Sequence, residues 1–82
     1  MDNPRIESQD ILKVGSLVTY HGAINKEIGV VKEIPIHTKT QVRVVYNCAG
    51  DWSNFKKYTS CITFLSDLSH DWEDDWEKDN II

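Results

Sequence analysis

The densest set of chemically capable side chains runs from Asp51 to Tyr58, Asp-Trp-Ser-Asn-Phe-Lys-Lys-Tyr. Rings at 52, 55 and 58 are interleaved with Lys56 and Lys57. Single-stranded nucleic acid binding uses this chemistry: bases stack on rings, at ~1–3 kcal/mol per base, while ammonium groups attract phosphates. The competing reading turns Trp52, Phe55 and Tyr58 inward as caps on a core and leaves both lysines solvated. For at least two of the three rings the inward reading is the better one, because an 82-residue chain must spend most of its eight aromatics on its core.

A second cluster lies at the C-terminal end. Asp67, Asp71, Glu73, Asp74, Asp75, Glu77 and Asp79 face only Lys78, and Trp72 and Trp76 stand among them. Carboxylates in a solvated run keep ordinary acidity, so paired acid–base catalysis is not expected there. Docking is a better use, with tryptophans as anchors and carboxylates steering the approach. The candidate partner-binding residues are therefore Trp72, Trp76, Asp71, Asp74 and Asp75, together with Trp52, Phe55 and Tyr58. Lys32, Arg43, Lys56 and Lys57 are the candidate nucleic-acid contacts. Two alternatives stand beside docking: a merely solvated charge run with the tryptophans packed back on the body, or a tail that masks the chain's own lysines.

Catalytic frameworks are missing. No Gly-x-Ser-x-Gly elbow, phosphate loop or His-Glu-x-x-His helix surrounds the Ser, His and Asp residues, and no catalytic residue is assigned. Zinc would need Cys48 and Cys61 plus two of His21, His37 and His70, a spacing that matches no finger, ribbon or knuckle. No metal and no cofactor is expected. The two thiols read as small buried or inert surface groups, and a disulfide between them stays open.

Charge narrows the partner class. Through residue 66 eight cations oppose six acids, a net of +2; from 67 onward one lysine opposes seven acids, a net of −6. The sum of −4 disfavours general nucleic-acid binding, which counterion release at phosphates drives. A protein partner with a basic or mixed surface fits better. No apolar run approaches the ~20 residues needed to cross a bilayer, and Met1–Asp10 has no apolar centre. These features read as a soluble, cytoplasmic protein with no membrane contact.

These groups need a scaffold, and the pattern is β. Ile28–Ile34 and Thr40–Asn47, rich in branched residues, flank a polar connection containing Pro35 and read as a hairpin. Leu17–Tyr20 and Thr59–Leu65 read as further strands. Val42, Val44 and Tyr46 should face the core, against Gln41, Arg43 and Val45. Gly15 suits a turn, and Gly29 marks a bulge or a close backbone approach. Met1–Gln9 reads as a loosely held arm. Leu65, Leu68, Trp72 and Trp76 recur at helical spacing, with Ser66 or Ser69 as N-cap, so a short acidic helix is expected near the end.

Leu12-Lys13-Val14-Gly15-Ser16-Leu17-Val18, then Gly29-Val30-Val31-Lys32-Glu33-Ile34 and Val42-Arg43-Val44-Val45-Tyr46, resemble the SH3-like small barrels of the KOW and Tudor type. The resemblance covers Leu12–Leu68. It implies a mainly β fold: a single small barrel of four to five antiparallel strands at 11–68, an arm at 1–10, and an acidic helix or tail at 69–82. A Tudor-like site would use an aromatic cage, for which Tyr20, Tyr46, Trp52 and Phe55 are the available rings. A KOW-like site would use basic loops, and a body at +2 departs from that pattern. The compact, acidic-tailed form is also similar to small barrel proteins of tailed bacteriophages, which implies a virion or regulatory accessory component in the host cytoplasm or the virion. The expected function is a non-catalytic protein-binding or assembly module. The alternative is a KOW-like nucleic-acid-binding barrel with a self-masking tail.

Overall fold

A computed structural model of the chain describes residues 4–72. Five strands form one antiparallel sheet: β1 (Leu17–His21), β2 (Lys26–Glu33), β3 (Gln41–Val45), β4 (Cys61–Phe64) and β5 (Leu68–His70), ordered β4-β3-β2-β1-β5. Three one- or two-turn 3-10 segments, Gln9–Ile11, Trp52–Lys57 and Leu65–Asp67, complete the described elements. The four strands read from the sequence are present within a few residues. The fifth, Leu68–His70, occupies the place where a helix was expected. Leu65 and Leu68 are buried in the core rather than ranged along a helical face. Trp76 and the rest of that stripe lie outside the described residues.

The sheet is rolled but not closed. In a flat five-stranded sheet the outer strands would stand about 19 Å apart. Phe64 and Leu68 are separated by a single 3-10 turn, which reaches about 8 Å and could not exceed about 14 Å fully stretched. The edges must therefore curl toward each other, yet β4 and β5 share no ladder among the described residues. The small barrel expected from the sequence is an open roll.

Inside the roll sit Ile6, Leu12, Val18, Val31, Val42, Val44, Leu65 and Leu68, with Tyr20, Ile34 and Tyr46 packed against them. Val42, Val44 and Tyr46 face inward as the alternation requires. Ile6 is the surprise, because it belongs to the stretch read as a loose arm. Its amide donates to the Leu68 carbonyl at 2.8 Å, and Arg5 bridges Ser69, so this stretch adds to the outer edge of β5. Gln9 then ties the β2–β3 connection down, its side-chain amide donating to the carbonyls of Thr38 and Gln41 at 2.7 Å each.

The opposite face of the sheet is also covered. Val30 pairs with Val45, and both are buried outside the main cluster, as is Cys48. A strand buried on both faces loses its apolar–polar alternation, which is why Val45 is hidden where a polar position was expected. The bulge falls between Val31 and Glu33 rather than at Gly29. Gly29 instead marks a close approach: a Cβ there would stand 2.5 Å from Val44 Cγ1.

Candidate functional site

The covering layer is built from the residues that read in the sequence as a binding surface. A tight turn carries the chain from β3 to the 52–57 segment. Ala49 and Gly50 both have positive φ, and the Asp51 amide donates to the Cys48 carbonyl at 2.9 Å. Asp51 then organises the segment beyond it. Its carboxylate accepts Asn54 Nδ2 at 2.9 Å and the Tyr58 hydroxyl at 3.0 Å, a bond that raises the pKa of the Tyr58 phenol above its ordinary value. Lys32 Nζ donates to the Tyr58 carbonyl at 2.7 Å. The 52–57 segment packs on β2 as a result.

Trp72 joins this layer from the other side. After β5 the chain turns at Asp71, whose φ of 68° is one that aspartate tolerates better than most residues. The Asp71 amide donates to the Leu17 carbonyl and its carbonyl accepts Thr19 Oγ1, both at 2.8 Å. Trp72 Nε1 then reaches the Gly29 carbonyl at 2.8 Å, and its ring meets Trp52 edge-on at 5.1 Å between centroids.

The expected partner residues are thus divided. Trp52, Phe55, Tyr58 and Trp72 are half-buried and occupied with one another or with the sheet, while Asp71 is exposed. Asp74, Asp75 and Trp76 lie outside the described residues. Of the cations, Lys32 is bonded to Tyr58 and Arg43 is paired with Glu33 at 3.1 Å, leaving Lys56 and Lys57 exposed on the last turn of their segment. No cage forms among the four rings considered: Tyr20 and Tyr46 pair with each other at 5.7 Å in the main core, and Trp52 pairs with Trp72. Cys48 is buried and Cys61 exposed, both free, and no group of three metal-ligating side chains occurs among the described residues.

The surface that sequence reasoning missed is β4. Cys-Ile-Thr-Phe alternates, and a half-buried strand should turn Ile62 and Phe64 inward. The structure does the reverse. Thr63 is buried, its Oγ1 bonded to the Tyr46 hydroxyl at 2.8 Å, while Ile62 is 46% and Phe64 52% exposed. Slipping the strand by one residue would exchange the two faces, so this register holds two large apolar side chains outside. Nothing in the alternation of the sequence signals this inversion, which depends on the distant Tyr46 hydroxyl.

β4 is also the uncovered edge. Arg5 and Ile6 cover the outer side of β5, whereas β4 pairs only with β3 among the described residues. The Leu65 amide donates to the Thr40 carbonyl, placing 40/65, 42/63 and 44/61 as the hydrogen-bonded pairs of the β3–β4 ladder. The N–H and C=O groups of Ile62 and Phe64 therefore point away from β3. Phe64 lines a groove of about 490 Å³ together with Arg5, Ile6, Glu7, Lys39, Thr40, Leu65 and Ser66.

Comparison with protein-family models, with curated proteins and with solved structures finds no match to this chain.

Proposed function

We propose that this protein is a non-catalytic protein-binding or assembly module that docks partners along the β4 edge. One observation carries the reading: β4 presents Ile62 and Phe64 to solvent, with both amides and the Ile62 carbonyl unpaired among the described residues, the Phe64 carbonyl alone being taken up by the Leu65–Asp67 turn. The strand has no charge, proline or bulge of the kind that usually protects an exposed edge. The connectivity supports an SH3-like ancestry: four strands in a meander, one 3-10 turn, and a fifth strand returning to the first. The acidic C-terminal stretch acts in this reading as a steering element for partners with a basic or mixed surface. Assembly roles of the kind the bacteriophage resemblance implies fit a small scaffold of this type.

The test is affinity capture with the wild type, an Ile62→Lys/Phe64→Lys variant, and a chain lacking 74–82. The wild type and the truncated chain should capture the same proteins, the truncated chain more slowly, and the edge variant should lose them. Equal capture by the edge variant overturns the assignment.

One observation favours a second reading. Lys56 and Lys57 are exposed beside Trp52 and Phe55, the arrangement a KOW-like nucleic-acid site needs. That reading expects binding to single-stranded RNA that weakens steeply with salt and strengthens without 74–82. A flat titration at low salt with both chains removes it.

A further inference from the structure

Resting on the protein-binding reading of β4, we propose that this edge takes up an extended acidic peptide as a sixth, antiparallel strand. The chemistry of the edge specifies the occupant. The outward-facing Ile62 and Phe64 amides and the Ile62 carbonyl offer three main-chain hydrogen bonds, which an extended backbone matches, while the Phe64 carbonyl caps the Leu65–Asp67 turn. Side chains of such a strand beside Ile62 and Phe64 meet apolar surface and should be apolar at alternate positions.

The groove past Phe64 specifies charge. Arg5 and Lys39 line it against the single acid Glu7, and neither cation is paired among the described residues. A strand antiparallel to β4 brings its amino-terminal end to Phe64 and Leu65, so its acidic residues belong at that end. A second copy of this chain fits less well. Its own β4 carries no carboxylate for Arg5 and Lys39.

The probe is a blocked peptide, Glu-Glu-Val-Thr-Val-Thr-Val, compared with a version carrying Lys-Lys at its amino end. Amide exchange is followed by NMR on the full chain. With the acidic peptide, the Ile62 and Phe64 amides should slow about tenfold, while Thr63, already bonded to Val42, stays unchanged. Lys39→Glu, an exposed loop change, should weaken the acidic peptide about tenfold and favour the lysine version. Absence of protection at Ile62 and Phe64 overturns strand addition. Protection that rises with protein concentration alone assigns the edge to a second copy and overturns the peptide. Equal binding of both peptides overturns the acidic specificity while leaving the protein-binding reading intact. Failure of that broader reading shows separately, as undiminished capture by the edge variant.

Discussion

Trp72 reaches back over the sheet to donate its indole N–H to the Gly29 carbonyl at 2.8 Å, so the last described residue is fastened to the middle of β2. The same ring lies edge-on to Trp52, twenty positions earlier in the chain. A residue that reads as a partner anchor in the sequence is thereby a fastener of the fold.

The stability consequence is specific. Trp72→Phe keeps a ring but leaves the Gly29 carbonyl without that donor, and should lower unfolding free energy in urea by about 1–2 kcal/mol. Deleting 70–82 removes Trp72 and the end of β5, and should abolish a cooperative transition at 37 °C or shift it strongly downward.

Residue 29 and the turn at 49–50 make opposite predictions. A methyl at Gly29 meets Val44 Cγ1 at 2.5 Å and the Val45 carbonyl oxygen at 3.0 Å, and backbone cannot step aside. Gly29→Ala should destabilise by about 2–3 kcal/mol. Ala49 is exposed and holds φ of 52° at a position where asparagine is at ease. Ala49→Asn should stabilise by about 0.5–1 kcal/mol, read as a higher urea midpoint at unchanged slope.

Tyr46 sets an alkaline limit. Burial pushes its phenol well above the ordinary value of 10.0, against a smaller opposing effect of the Thr63 hydrogen bond. Because the folded state holds this proton more tightly than the unfolded state, its contribution is fully present below pH 10 and is lost as pH rises further. Urea midpoints should therefore fall steeply above pH 10. Tyr46→Phe should flatten that fall while costing about 1 kcal/mol at neutral pH for the lost hydroxyl contact.

Much of the sheet was legible in the sequence. The 28–47 hairpin and the strand at 17–20 announce themselves through branched residues, alternation and the stop at Pro35, all local signals. What was hidden depends on distant pairings. Leu68-Ser69-His70 is too short to show a period, and its strand character comes from β1 on one side and Arg5–Ile6 on the other. Its leucine happens to match helical spacing with Leu65 and Trp72. Ile6 is a single apolar residue in a polar stretch, and only its place across from Leu68 buries it. The candidate site was misplaced for a related reason. The rings at 52, 55 and 58 read as mostly inward, but nothing local shows which surface they pack on or that Trp72 joins them there. The exposure of Ile62 and Phe64 was not legible because alternation alone does not reveal that Tyr46 holds Thr63 inside.

The central claim is that β4 is where partners dock. The most direct measurement places a photo-crosslinking amino acid singly at Ile62, Phe64 and Ile24, the last being 91% exposed on the β1–β2 loop as a control for mere exposure. Irradiation in the presence of captured partners should give protein adducts at 62 and 64 and few at 24. Adducts at 24 equal to or exceeding those at 62 and 64 would contradict the assignment of the β4 edge.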